Sequence, residues 1–353
     1  MTTFIQLHLL TFVPPSNLNR DDTGAPKTAI VGGDMRLRLS SQSLKRAWRT
    51  SEVFETRLKD HLGSRTQRFG EHIRQHLLER GVAADQALAA TLRVIEVFGK
   101  PEDGKGEGKL TYTKQLAFIS PAEKTAALQL AEAIARGDDV DDKKFAAMVL
   151  KRADTAADIA MFGRMFADNP DFNREAAVQV AHAITTHRVA IEDDYYTAVD
   201  DLNDGREDVG AGFVGEAGFG SGVFYLYLCI DTDQLVRNLG GDTELAKSAV
   251  AALVEAAATV APNGKQASFA SRVRSHFMLA EKGGAQPRTL ASAFAKSVEP
   301  KKAMEDSPKR LLEMREKFAR AYGEDNEKPV IMNLEAGEGS LAEVIEFATS
   351  WKA

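Results

Sequence analysis

Cysteine is almost absent from the 353-residue sequence, which contains only Cys229. A single thiol cannot form an intrachain disulfide, and this is typical of proteins in a reducing cytoplasm, where we expect the chain to reside. No run of about 18 or more apolar residues occurs, which argues against a transmembrane helix. Residues 1–12 lack a basic leader and a small-residue cleavage site, so they do not predict a signal peptide.

An overall excess of positive charge is also missing, because the formal net charge is −6. The charge is unevenly distributed, however. Residues 20–49 hold seven basic and three acidic side chains, a local net charge of +4, which leaves −10 on the rest of the chain. The basic residues of this window are Arg20, Lys27, Arg36, Arg38, Lys45, Arg46 and Arg49. A concentrated basic stripe on an acidic protein can direct a polyanion to one place.

Hydrophobic periodicity predicts a mixed α+β chain. Ile5, Leu7 and Leu9 alternate with polar residues and predict a first strand, which Pro14-Pro15 is expected to end. Residues 35–39 predict a short strand, and Ser40 or Ser41 is expected to cap a helix over about 42–59. Further strands are predicted at 178–189, 222–230 and 271–280, and Asp242 or Thr243 is expected to cap a helix that runs to about Val260.

Two long insertions interrupt this pattern. Residues 60–175 are Ala-rich and mostly helical, whereas residues 192–222 contain nine acids and seven glycines and predict a projecting loop or hairpin. Without the insertions the order is that of the ferredoxin-like fold, which RNA-recognition modules use to present a sheet to single strands.

The segment SSQSLKRAWR, residues 40–49, carries the strongest functional signal. Hydroxyl groups and free backbone N–H groups at a helix N-terminus suit phosphate oxygens. Lys45 and Arg49 are four residues apart and would share one helix face along a phosphate backbone. The simpler alternative is a capped helix with a solvated basic face.

Enzymatic alternatives rest on weaker motifs. Asp21 and Asp22 are adjacent and could hold a divalent metal, which leaves a metal-dependent ribonuclease open, although turns often use Asp for local bonds. A GxGxxG string at 210–215 leaves a weaker option, a nucleotide-binding enzyme, but no strand precedes it and acids surround it. His72 and His76 lack the glutamate of a zinc-protease motif.

Several segments resemble the CasC family, the backbone subunit of the type I-E CRISPR Cascade complex. They are FIQLHLL (4–10), SNLNRDD (16–22), MRLRLSSQSLKRAWR (35–49), DDKK (141–144), DIAMFGRM (158–165), AHAITTH (181–187), YYTAVDDL (195–202), SGVFY (221–225), NLGG (238–241) and GKQ (264–266). The resemblance implies an RRM-like palm (1–60, 176–191 and 223–353), an inserted helical finger (61–175) and a β-hairpin thumb (192–222). It implies no cofactor, no metal, no membrane and no catalysis.

The resemblance also implies partners and roles. Copies of the subunit would line up head to tail on one crRNA, beside other Cascade subunits, and present the guide to target DNA. The crRNA-binding residues would be Arg20, Lys27, Ser41, Gln42, Lys45, Arg46, Arg49, Met165, Tyr196 and Thr197. Met165, Tyr196 and Thr197 would contact bases, and the others the RNA backbone. Lys143, Lys144 and Lys151 would approach target DNA.

Overall fold

A computed structural model describes residues 2–102, 109–141, 144–198, 213–323 and 327–351. The strands are β1 Phe4–Ser16, β2 Thr28–Val31, β3 Asp34–Leu39, β4 Ser64–Thr66, β5 Ala117–Ile119, β6 Val178–Val180, β7 Ala183–Thr185, β8 Glu192–Ala198, β9 Phe213–Asp231, β10 Phe277–Gly283 and β11 Val330–Asn333. The helices are α1 Ser41–Arg49, α2 Glu52–Arg57, α3 Phe69–Glu79, α4 Ala84–Ile95, α5 Pro121–Arg136, α6 Phe145–Val149, α7 Ala157–Phe162, α8 Thr232–Asn238, α9 Thr243–Thr259, α10 Gln266–Phe269, α11 Ala303–Tyr322 and α12 Leu341–Thr349.

An antiparallel sheet in the order β11-β10-β1-β9-β7-β3-β2 organises the palm. Strand β1 lies inside it, paired with β9 on one side and β10 on the other. One face carries Ile5, Leu7 and Leu9, which pack in a core with α1, α2 and α9, whereas Leu10 and Tyr225 share a second core with α11. The predicted α+β class is therefore confirmed.

The finger has a core of its own. Helices α3, α4 and α5 contribute buried residues such as Ile73, Val94 and Ala127, to which Val149 and Phe166 are added from later in the chain. A two-stranded sheet, β4 with β5, stands beside this core with Arg65 opposite Phe118. Among the described residues, no helix is long and apolar enough to cross a membrane.

The thumb is built on one long strand. Strand β8 pairs with the first part of β9, from Glu192 opposite Phe219 to Ala198 opposite Phe213. Strand β9 then continues without a break into the centre of the palm sheet. The residues between the two hairpin strands, 199–212, lie outside the described part of the chain. The boundaries assigned to palm, finger and thumb remain predictions.

Several local expectations were wrong, and the single strand expected over 178–189 is two short strands, β6 and β7. Strand β1 passes through Pro14-Pro15 to Ser16, because a register shift between Val13 and Ser16 accommodates two residues that cannot donate to a ladder. The helix expected over 42–59 is two helices, since the Ser51 side chain accepts a hydrogen bond from Phe54 N and starts α2. The strand expected from residue 271 begins only at Phe277.

Candidate nucleic-acid interface

Helix α1 begins at a doubly anchored serine. The Ser40 side chain caps the helix by accepting from Ser43 N at 3.3 Å, and the Ser40 backbone N donates to Asn19 Oδ1 at 2.8 Å. Leu44 and Trp48 are buried in the palm core. Burial of that apolar side leaves Ser41 and Lys45 partly exposed, and Gln42 and Arg46 exposed. The expected cap and basic face are thus both present.

A cleft of about 420 Å³ separates α1 from the finger, and we call it the α1 cleft. Its lining residues are Gln42, Lys45, Arg46 and Arg49 from α1 and Arg65, Leu116, Phe118, Phe162, Gly163, Arg164 and Met165 from the finger side. It therefore brings four of the predicted α1 residues together with Met165. No carboxylate is among these lining residues, and five of them carry a positive charge, of which Arg164 is buried in an ion pair with Glu123. The Met165 side chain is 82% exposed, an unusual position for a large apolar group.

Lys45 and Arg49 both lie close to aromatic rings on the finger side of the cleft. Lys45 Nζ lies 5.9 Å from the centroid of the Phe162 ring, and partial burial lowers the pKa of this amine. The Arg49 guanidinium stacks over Phe118 at 4.5 Å, and its side chain is only 12% exposed. Arg49 therefore holds α1 against the finger as well as lining the cleft.

A buried carboxylate, Asp158 on α7, lies behind Arg49. Its Oδ1 accepts from Gly63 N at 2.7 Å and from Ile159 N at 3.0 Å. Its Oδ2 has no hydrogen-bond partner, and the nearest cation, Arg49 Nη1, is 3.6 Å away. Burial raises the pKa of the Asp158 carboxyl to about 6, because the backbone donors and Arg49 compensate only part of the lost hydration.

The loop that carries Arg20 and Lys27 is tied directly to α1. Lys27 N donates to the Asn19 carbonyl at 2.8 Å, and the side chain of Asn19 accepts from Ser40. Arg38 N donates to the Lys27 carbonyl, and Arg38 Nη1 donates to His182 Nδ1 at 3.0 Å. Burial, followed by the charges of Arg38 and Lys27, lowers the pKa of His182. Lys27 and Arg38 thus form a cationic patch that continues from the start of α1, and His182 adds a hydrogen-bond acceptor to it.

Asp21 is used within its own loop. Its Oδ1 accepts from Thr23 N, Thr23 Oγ1 and Ala25 N at 2.7–3.0 Å, and the bond from the Thr23 hydroxyl is the main cause of its lowered pKa. Arg20 closes the same loop through a bridge to Pro26. No group of three or more His, Cys, Asp or Glu side chains suited to a metal ion occurs within the described ranges. Asp21 therefore acts as a turn residue in this loop.

The root of the thumb meets this loop. Asn17 Nδ2 donates to the carbonyls of Gly24 and Gly218, at 2.9 and 2.8 Å, and so links the loop to strand β9. On the neighbouring strand β8, Tyr196 and Thr197 lie opposite Gly215 and Val214, and Tyr196 is 43% exposed. Arg20 and Lys27 thus share a surface region with the thumb root, whereas Met165 belongs to the α1 cleft.

The described lysines expected near target DNA lie away from the α1 cleft. Lys144 precedes α6 and forms an ion pair with Asp141 at 3.8 Å, while Lys143 falls outside the described residues. The backbone of Lys151 serves the finger core, since its N–H donates to Glu123 and its carbonyl accepts from Arg164 and Arg174. Neither Lys144 nor Lys151 lines the α1 cleft.

Sequence reasoning missed several parts of this surface. Arg65, Phe118 and Phe162 line the cleft from the finger side, and Arg38 and His182 extend the loop patch. Local sequence around Arg65 or Phe118 has no motif that marks it. For Arg38 the one available signal was its place among the basic residues of the window 20–49.

Comparison with known proteins identifies the family of this chain. A search of curated protein sequences gives no match. Two solved structures are similar: a chain of a "CRISPR RNA-guided surveillance complex, pre-nicking", with 29% identity and a TM-score of 0.87, and a chain of a "CRISPR RNA-guided surveillance complex", with 25% identity and a TM-score of 0.75. Each alignment covers 98% of this chain and 99% of the other. The family model described as CT1975-like protein matches residues 5–349. The chain therefore belongs to the CT1975-like protein family.

Proposed function

We propose that this chain is a non-catalytic subunit that binds crRNA along its phosphate backbone and forms the repeating backbone of a type I-E Cascade complex. The observation that carries the proposal is the α1 cleft, which combines cationic side chains, no lining carboxylate and the exposed Met165. Phosphate contacts give sequence-tolerant binding, and an exposed apolar side chain can contact a base of any identity.

The path of the RNA follows the hydrogen-bonded connection between the two cationic regions. A single strand in the α1 cleft would pass Lys45 and Arg46, then the first turn of α1, and reach Lys27 and Arg20 on the loop. Tyr196 and Thr197 lie further out on the thumb than the Asp193–Gly218 pair that Asn17 ties to the loop, and would meet a strand that continues outward from the loop. The similar chains come from RNA-guided surveillance complexes, which supports RNA as the polyanion.

Assembly is the second part of the proposal. The thumb projects from the palm on strands β8 and β9, and its described acids Glu192, Asp193, Asp194 and Glu216 are exposed. An arm of this kind can reach the next copy, and repeated head-to-tail contact generates an open filament. Such a filament would present the guide to target DNA and meet other Cascade subunits at its ends.

The binding test uses Lys45→Glu combined with Arg46→Glu. Arg49→Glu is unsuitable, because it would place a second carboxylate beside the buried Asp158. The matched control is Lys301→Glu with Lys317→Glu, which has the same charge change at exposed positions beside and on α11, across the sheet from α1. Single-stranded RNA of mixed sequence is titrated at several salt concentrations.

We expect the α1 variant to bind at least about tenfold more weakly than the control. Its slope of log K against log salt should fall by about 1.4, since each lost phosphate contact contributes roughly 0.7 on a single strand. Equal binding by the two variants would rule out the α1 cleft as the RNA site.

Absence of cleavage is tested separately, against the ribonuclease alternative. Purified protein is incubated with labelled crRNA, complementary RNA and single-stranded DNA in magnesium or manganese. We expect no products, because Asp21 is committed to its loop and cleavage requires a metal cluster or a positioned acid and base. Metal-dependent products that disappear in Asp21→Ala or Asp22→Ala would establish the ribonuclease.

A further inference from the structure

A second and larger cavity, of about 630 Å³, lies on the other side of the β4–β5 ribbon, and we call it the finger cavity. Side chains alternate across a two-stranded ribbon. Arg65 and Phe118 accordingly face the α1 cleft, while Ser64, Thr66 and Ile119 line the finger cavity. One ribbon is therefore the common wall of two cavities.

The lining of the finger cavity has the chemistry of an anion site. Its basic groups are Arg68 and His72 at the start of α3 and Lys124 on α5, and Ser64 and Thr66 add hydroxyls. All three basic side chains are exposed. Within the described part of the chain, Arg68 and Lys124 have no carboxylate within 4.0 Å, in contrast to Arg164 and Arg174, which are ion-paired in the finger.

Not every polar group in the cavity is available. Ser120 and Glu123 form a closed capping box at the start of α5, so the Ser120 hydroxyl already accepts a hydrogen bond. Thr66 Oγ1 accepts from Arg68 N at 2.9 Å, which fixes the threonine and leaves its hydroxyl hydrogen to donate. The one acid in the lining is Asp60. The available groups are therefore two full cations, an imidazole and two hydroxyls, a set of donors suited to phosphate oxygens.

We propose that the finger cavity binds backbone phosphates of the single-stranded DNA that pairs with the guide, an inference that rests on the proposed function. Two strands that pair must lie side by side, and cavities that share one wall hold their ligands as neighbours. A guide in the α1 cleft would thus leave the finger cavity facing the second strand. The proposal gives target DNA a contact other than Lys143, Lys144 and Lys151.

The test compares Arg68→Glu/Lys124→Glu with the control Lys301→Glu/Lys317→Glu. A second pair, Arg68→Gln/Lys124→Gln, removes the charges without reversing them and guards against misfolding of the first. RNA-loaded protein is titrated with fluorescein-labelled single-stranded DNA complementary to the guide. RNA content, thermal midpoint and particle size are measured on the same samples.

We expect RNA content, thermal midpoint and particle size to match the control. The dissociation constant for DNA should rise at least about tenfold in the Glu pair and less in the Gln pair, and the salt slope should fall by about 1.4 for two lost phosphate contacts. Three results would overturn the proposal. The first is unchanged DNA binding, and the second is a fall in RNA content with no change in DNA affinity. The third is an altered particle size with normal DNA binding, which would indicate a protein partner.

Failure of the proposed function would look different. Wild-type protein would then carry no RNA and gain none in the RNA titration. The same DNA titration on RNA-free protein would still decide the finger cavity: weaker binding by the Glu pair than by the control supports a phosphate site there, and equal binding refutes it.

Discussion

Replacing Asp158 by Asn isolates the most unusual titratable group beneath the α1 cleft. The Asn Oδ1 can keep both backbone bonds, from Gly63 N and Ile159 N, while the ionisable group is removed. The burial that raises the pKa of Asp158 from 3.8 to about 6 acts only on the wild-type chain. The difference in stability between the two proteins should therefore depend on pH.

The sign follows from proton linkage. The folded protein holds the Asp158 proton more tightly than the unfolded chain does, so this group's stabilisation is complete below pH 3.8 and is lost as pH rises through about 6. A shift of about two units corresponds to roughly 3 kcal/mol, and about 2.5 kcal/mol of it falls between pH 4 and 7.5. The wild type should lose about that much relative to Asp158→Asn over this interval.

Urea unfolding of RNA-free protein, at half-unit steps from pH 4 to 7.5, provides the measurement. Other carboxylates change both curves equally, so only the difference between the two proteins is informative. A constant difference across the series would contradict the reasoning. It would mean that Asp158 is ionised throughout, and that Arg49 at 3.6 Å compensates its charge fully.

Two further changes separate binding from stability. Because the Met165 side chain is 82% exposed, Met165→Ala should leave the free energy of unfolding within about 0.5 kcal/mol of the wild-type value. The same change should alter the fluorescence emission of 2-aminopurine placed in the bound RNA. Met165→Leu is the control, and identical emission in all three proteins would exclude a base contact. Glu281→Gln should destabilise the chain by about 3–5 kcal/mol in urea unfolding, since it leaves Arg288 and Arg315 beside a neutral amide in a buried network. A loss of stability below about 1 kcal/mol would show that water hydrates the two arginines in place of the carboxylate.

Local patterns in the sequence, such as alternation and capping residues, predicted the strands and helices whose formation depends on neighbouring residues. Alternation placed the first strand, and Asp242 marked the start of α9, where its side chain accepts from Leu245 N. Pro14-Pro15 misled because the effect of a proline depends on its ladder position, and here a register shift absorbs both. Whether a proline ends a strand is decided by the partner strand, which lies about two hundred residues away in sequence.

In the candidate site, too, the residues of one local segment could be predicted and those brought together by folding could not. Helix α1 supplies its residues from one short segment, so its basic face could be predicted from spacing. The opposite wall of the α1 cleft comes from Arg65, Phe118 and Phe162, which only the folding of the finger brings together. The finger cavity was missed for the same reason, because Arg68 and Lys124 belong to different helices.

The window 20–49 shows most clearly that a count of charges does not tell which of them reach the surface. Arg36 and Arg38 alternate onto one face of β3, yet Arg36 is fully buried, and its guanidinium donates to the carbonyls of Thr185 and Phe294. A segment some 250 residues later in the chain covers that part of the strand, and no local pattern could reveal it. Arg49 is likewise turned largely inward, toward Asp158. Two of the seven charges therefore stabilise the fold. The cationic surface left for the proposed RNA site consists of Arg20, Lys27, Arg38, Lys45 and Arg46, completed from the finger by Arg65.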